Sequence, residues 1–513
     1  MRSAVSTGAI GRVLGLLMLG VLLVLATALA TLLAGGAAFL AVWVILLVFG
    51  VVGLALLVRL PAAPARFESA GVNMLAIFVF LAVVWPRYAS IRLPGLPSLS
   101  LTRISLLLLL ILGLYLVSKS PVMRARLIDR LSRFRIVFVP LVMLFLLKLV
   151  SALFAQVPLL SLRGLLNEAV TVYLPMLIAL AVVDSRRDIH RILFAMLAAA
   201  VVVILLGLVE YRLGRNLFIG LLEVDSQYLE EVLRDKVRAG GYRLQSTFAH
   251  PLTFSEYLVL VTPVAIYLAF AAGFRWWKTA ALVVMIAVMA FVIVKTGSRS
   301  GIGSFGVVLG AGAVLAALRL SVATRNSVTS ALHVLAAISI VVVSAVGLYM
   351  IVDILVGRTT REFNSGAARL LMWRDGLDKA VLHPVLGYGQ DMAANVLGFV
   401  GSHGVLTIDS YFLSVLLDGG FLALLLYLFI LGAMAVIALR AGFRRDDPDL
   451  LSALLASCVL GFALIKTILS LHHNHALFMV LMAVMLAGIS LRPSAKVNRA
   501  ASAAPVPRTA WAR

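Results

Sequence analysis

An all-α, polytopic bundle of about 12–14 transmembrane helices is the fold class that three features of this sequence predict. The first is apolar content: 63% of the 513 residues are hydrophobic, against about 45–50% in ordinary soluble domains. Mean hydropathy is +1.10. The second is spacing, because apolar runs near the ~20 residues that cross a bilayer recur from end to end. The third is charge, since short loops rich in Lys and Arg recur on every second connection.

In chain order, the first run is 13–34. It is longer than the ~7–15-residue apolar region of a signal peptide and no A-x-A cleavage site precedes the next run, so it reads as a retained helix. Further candidate spans are 37–58, 70–85, 104–118, 136–155, 169–183, 192–209, 253–272, 279–294, 301–318, 331–352, 421–439, 450–468 and 476–491, which makes fourteen. Those at 70–85, 104–118 and 169–183 are among the shortest. Gly306 and Gly310 form a GxxxG within the 301–318 run, a spacing that serves close helix packing more often than dimerisation. The chain divides into an N-terminal transmembrane extension (1–68), a polytopic domain (69–491) and a basic tail (492–513) whose small, Pro-rich composition predicts disorder and attraction to anionic lipid.

Placing the N-terminus inside puts "RARLIDRLSRFR", "DSRRDIHR", "GFRWWK", "RAGFRRDD" and the tail on one side. In that register 25 of the 44 Lys and Arg are cytoplasmic, against 7 of the 22 Asp and Glu. Both termini are then expected in the cytoplasm. The net charge of +22 is mostly a topology signal and calls for no nucleic-acid partner. A single cysteine, Cys458, excludes an intrachain disulfide and a Cys-based metal site.

The polar chemistry gathers on the opposite, outward side. Two long outer loops, 210–252 and 353–420, exceed the ~12–15 residues above which loops are usually functional or disordered. Between them the turn "KTGSRSG" (295–301) carries Lys295 and Arg299. Six of the eight histidines, including His250, His403, His472 and His475, share this side. Within the second loop, residues 369–382 place Leu370, Trp373, Leu377, Ala380 and Val381 on one stripe, predicting an amphipathic helix on the membrane surface. "HPVLGYG" ends it with Pro384, Gly387 and Gly389. "TIDSYFLSVLLDGGFLAL" then re-enters the bilayer, with Asp409 near the interface and Asp418-Gly-Gly as a break. An acidic group at that depth calls for a partner or a polar cavity under the loop.

"TFAHP" (247–251), "TGSRSG" (296–301), and the ordered set R-x-x-x-W, "HPVLGYG", "IDSYF" and "LLDGGFLAL" together resemble the O-antigen ligase and polysaccharide polymerase superfamily of bacterial membrane glycosyltransferases. The resemblance spans roughly 130–490. It implies a GT-C-like fold and glycosyl transfer at the periplasmic face of the inner membrane, from a glycan on undecaprenyl diphosphate to an acceptor glycan or lipid. It implies no metal or other cofactor, and membrane lipids, a chain-length regulator and export machinery as further partners. The reaction requires cations to stabilise the departing diphosphate, a base for the acceptor hydroxyl, and an apolar path for the lipid tail.

By that resemblance Arg243, Arg299 and Arg369 are assigned to the diphosphate and its sugar, with Tyr411 beside them. The bland readings are a snorkelling residue for Arg299, the polar face of a surface helix for Arg369, and a solvated charge cluster for Arg243. Asp409, His403 and His250 compete for the role of base; Asp409 also suits a helix cap. Ligases of the superfamily carry a His-Asn pair where this chain reads Ile408-Asp409, a departure that favours the polymerase over the O-antigen ligase. "HHNH" (472–475) reads as polar lining of the outer cavity in preference to a metal site. No Walker loop or nucleotide-sugar motif is present. A lipid-linked oligosaccharide flippase is the rival class; its path would be lined with polar groups at mid-membrane, where this sequence offers little beyond Lys148.

Overall fold

The computed structural model describes residues 66–86, 88–89, 100–219, 237–238, 241–271, 276–323, 331, 338, 360–400, 406–444 and 449–491. The N-terminal spans 13–34 and 37–58, most of 331–352, His403 and the tail lie outside these residues. Each of the other eleven expected spans is a helix: eight are long and apolar enough to cross a membrane, and three more are shorter apolar helices. The chain is a multi-pass, all-α membrane protein. Its only described strands form a two-residue hairpin, β1 (Val237–Arg238) with β2 (Gly241–Tyr242).

Helices α1 (Arg66–Val84) and α2 (Leu101–Lys119) lead to a short amphipathic α3 (Pro121–Arg133). Ser120 closes α2 and opens α3, its Oγ accepting from Met123 N at 3.2 Å. Then come α4 (Arg135–Leu153), α5 (Pro158–Glu168), a π-turn at Ala169–Tyr173, α6 (Leu174–Val182) and α7 (Arg186–Leu213). A Ser185/Asp188 capping box starts α7 and Gly214 in the left-handed region ends it, as the residue types dictate. After the hairpin follow α8 (Pro251–Ala271), α9 (Trp276–Lys295), α10 (Arg299–Ala323), α11 (Thr360–Leu382), α12 (Ala393–Leu397), α13 (Tyr411–Gly442), α14 (Leu450–Lys466) and α15 (His475–Ser490).

Helix α14 is central, packing on α8, α10 and α13, while α15 lies against α6. Close approach of α14 to α10 occurs at Gly461, where a Cβ would overlap Val308; a Cβ at Gly306 would meet open space. The GxxxG expectation is therefore corrected: small-residue packing is used here, but not at Gly306.

Two of the basic connections, 119–135 and 184–191, meet at one end. Arg126 pairs with Asp184 at 2.6 Å, and Arg130 Nε donates to Ser490 Oγ at 2.8 Å, which ties α3 to the end of α6, the start of α7 and the end of α15. Burial, followed by repulsion from Arg126, lowers the Arg130 guanidinium to about 10, so it stays charged at neutral pH. The far end of α7 is about 40 Å away at 1.5 Å per residue. There Glu210 accepts from Tyr242 Oη at 2.6 Å and from Ser246 N, anchoring the "QSTFAHP" loop. Burial and the Glu210 carboxylate push the Tyr242 hydroxyl up, keeping it a donor. That loop and the turn after α9 meet through Leu244 N, which donates to Lys295 O at 3.1 Å.

Candidate functional site

The site is assembled at this second end from four segments far apart in sequence. "TGSRSG" forms the tight link between α9 and α10. Gly297 takes φ 62°, and Arg243 reaches over it from the preceding loop, Nε donating to Thr296 O at 2.7 Å and a terminal nitrogen to Gly297 O at 3.5 Å. Arg243 is buried. It is therefore no solvated surface charge, and its first task is to hold the turn that presents Arg299. Arg299 begins α10 and lies near enough to Arg369 for the two positive charges to repel.

Arg369, on α11, donates from Nε to Asp409 Oδ2 at 3.1 Å, with both side chains about one-third exposed at 34% and 35%. The cap of α13 is the next residue, Ser410, whose Oγ accepts from Leu413 N at 3.4 Å. The capping alternative for Asp409 is thus replaced by an ion pair. Arg374, one turn further along α11, is exposed. Helix α11 itself buries Met372, Gly376 and Ala380, with Trp373 partly covered, and leaves Leu370, Leu377 and Val381 outward. The expected stripe is split accordingly: Ala380 belongs to the face packed on α13, and the large apolar residues form a second, outward face.

Gly387 of "HPVLGYG" and Gly420 of "LLDGG" have one shared explanation. The two backbones clasp: Tyr388 N donates to Leu417 O at 2.8 Å, Gly389 N to Asp418 O at 2.9 Å, and Phe421 N to Pro384 O at 2.8 Å. Gly387 (φ 64°) and Gly420 (φ 78°) sit in the left-handed region. A Cβ on either would lie 2.6 Å from backbone atoms of the opposite segment. Gly420 is also where α13 breaks, with ψ −178°. The Asp418 carboxylate accepts from Asp391 N (3.1 Å), Met392 N (3.0 Å) and Ala393 N (2.7 Å), capping α12; that is how a buried carboxylate is tolerated here.

Beneath the clasp lies the polar cavity that the sequence called for. Its volume is about 220 Å3, and its walls include Lys148, Glu168, Asp391, Tyr411, Asp418 and His475. Lys148 Nζ meets Glu168 Oε2 at 2.7 Å, and Tyr173 Oη donates to Glu168 Oε1 at 2.8 Å. The π-turn that begins at Ala169 brings residues five apart onto one face, which a regular helix would not. Tyr411 packs at a tilt on His475, with centroids 4.4 Å apart, and Ile408, the residue before Asp409, also lines the cavity.

His250 is elsewhere in role: its Nδ1 accepts from Leu252 N at 3.1 Å at the start of α8. His472 and His475 both line the cavity, as read from "HHNH". Two groups escaped the sequence reading. Glu168 was one carboxylate in a short connection, and only its pairing with Lys148 marks it. Glu256 and Lys466, expected at outer helix ends, form a fully buried pair at 2.7 Å, with Asn474 Nδ2 donating to Glu256 Oε2 at 2.8 Å.

Residues 284–428 match the family model described as O-antigen ligase. The match supports the O-antigen ligase and polysaccharide polymerase superfamily. It is narrower than the span of 130–490 read from the motifs: Arg299, Arg369, Asp409, Tyr411 and the clasp fall inside the O-antigen ligase segment, whereas Arg243, His250 and the far wall of the cavity fall outside it. No curated protein matches the chain. Over residues 284–428 the chain is thus similar to the O-antigen ligase family.

Proposed function

We propose that this protein polymerises glycan units carried on undecaprenyl diphosphate, at the periplasmic face of the inner membrane. The observation that carries the reading is the cluster Arg299, Arg369 and Asp409: two cations and a carboxylate, the last next in sequence to Ile408, which lines the polar cavity. Arg299 and Arg369 bind the donor diphosphate. Arg243 holds the turn behind them, a positioning role in place of the direct contact first assigned to it. The acceptor hydroxyl oxygen attacks the anomeric carbon of the donor, the bond from that carbon to the diphosphate oxygen breaks, and the hydroxyl proton passes to Asp409.

Donor binding and base activation are coupled in this arrangement. An incoming diphosphate competes with Asp409 for Arg369 and would free the carboxylate to accept from the acceptor hydroxyl. Fixed guanidinium groups then meet the charge that develops on the leaving diphosphate, an arrangement that works best where water is excluded. His250, tied to the start of α8, is the weaker candidate for the base.

The description of the matched family favours a second reading, ligation of a finished glycan to lipid A core. Purified protein given a polyprenyl-diphosphate-linked repeat unit separates the two. A ladder of longer lipid-linked chains, unchanged by EDTA, is expected. Transfer to lipid A core without a ladder would move the assignment to the ligase, and a ladder that needs added magnesium or manganese would overturn the arginine-based mechanism.

A further inference from the structure

The cavity under the clasp is built from parts that the diphosphate chemistry does not use. Its lining carries three carboxylates, Glu168, Asp391 and Asp418, against one ammonium, Lys148. That ammonium is already paired with Glu168, so it is not free to hold a phosphate. The diphosphate therefore belongs to Arg299 and Arg369, and the cavity suits an uncharged, hydroxyl-rich guest.

Two further observations point to a ligand. His475 is 4% exposed. Its Nε2 lies 3.3 Å from Tyr427 Oη, yet its Nδ1 has no hydrogen-bond partner although the residue lines the cavity. A buried polar atom in that state is costly and calls for a partner. Asp391, which also lines the cavity, is one of two described non-glycine residues with positive φ, at 62°. Such strain persists where the surrounding structure enforces it. Here it holds the carboxylate against Gly164, where any Cβ would overlap Asp391 Oδ2. The aromatic ring of Tyr411 completes an amphipathic lining, polar edges beside a flat apolar face.

At about 220 Å3 the space falls below the ~300–1,000 Å3 of drug-sized pockets, which fits a ring better than a chain. We infer that this cavity is a subsite for one uncharged pyranose ring, the terminal sugar of the acceptor, hydrogen-bonded by His475, Asp391 and Asn167, which also lines the cavity, and set with a hydroxyl toward Asp409. The assignment to the acceptor rests on the glycosyl-transfer reading; the binding of a neutral sugar does not.

Saturation-transfer NMR on the full chain in nanodiscs tests it, with methyl glycosides of a hexose, an N-acetylhexosamine and a hexuronic acid as probes. Transfer to the two neutral glycosides and several-fold less to the uronate is expected. His475→Phe keeps the ring packing but removes both nitrogens, and Asn167→Ala trims an exposed side chain with no consequence for the core. Each should weaken the neutral signals roughly tenfold, the worth of about one good hydrogen bond. In the polymerisation assay the same variants should raise the acceptor KM and leave the donor KM unchanged. No transfer to a neutral glycoside, equal transfer to the uronate, or signals that survive both Asn167→Ala and Gly164→Ala would overturn the inference. Sugar binding that persists in a protein unable to polymerise or ligate would instead overturn the proposed function and leave the subsite standing.

Discussion

Arg299, Arg369 and Arg374 carry the same charge and differ in their surroundings. Arg369 is engaged by Asp409 at 3.1 Å, Arg299 shares its field, and Arg374 stands in the open. Lysine keeps the charge but loses the planar fork that grips a diphosphate by two contacts. Arg299→Lys and Arg369→Lys should each slow glycosyl transfer by about one to two decades, equivalent to ~1.5–3 kcal/mol for one charge-assisted contact. Arg374→Lys should be silent. Initial rates on a purified lipid-linked donor, with membrane insertion checked alongside, decide the matter: equal loss in all three variants, or in none, removes the diphosphate site.

The element that holds the site together is the clasp between the loop after α11 and the break in α13. It positions the Asp418 carboxylate at the start of α12, and α13, which begins at Tyr411 just after Asp409, packs on α11 through Leu413 against Gly376. Alanine at Gly387 or Gly420 combines a left-handed backbone, disfavoured by roughly 1–2 kcal/mol for a residue with a Cβ, with overlap onto the facing backbone. Both variants should insert normally, because the apolar runs are untouched, yet lose activity and melt several degrees lower. Full activity with an unchanged melting temperature in Gly387→Ala would mean that the clasp is not needed to shape the site.

At the scale of the whole molecule, the basic connections 119–135 and 184–191 lie at one end of α7 and the candidate site at the other. Chemical labelling can assign these ends to the two sides of the membrane because Cys458, the only cysteine, is fully buried. Asp378→Cys on α11 and Arg187→Cys on α7 introduce thiols at exposed positions. An impermeant maleimide should modify Asp378→Cys from the periplasm and reach Arg187→Cys only after the inner membrane is breached. The reverse pattern would place the arginines on the cytoplasmic side and end the case for a periplasmic reaction.

What the sequence determined by itself was everything that depends on local chemistry along the chain. Apolar length defines a spanning helix, so all eleven spans within the described residues were legible, down to the break at Gly420. Loop charge marked the end of the bundle where the polar groups collect, and the motif order pointed to the family whose segment matches at 284–428. Tertiary structure alone decided which polar groups are partners. Glu168 meets Lys148 from 20 residues away, Arg369 meets Asp409 from 40, and Glu256 meets Lys466 across two helices; a buried charge looks the same in the sequence whether or not a counter-charge folds onto it. The division of labour among the arginines was decided in the same way, since only packing shows that Arg243 faces a turn of backbone carbonyls and Arg369 a carboxylate. Hydrophobic periodicity is a property of consecutive residues, whereas an ion pair is a property of two places brought together. The second exists only once the helices have packed.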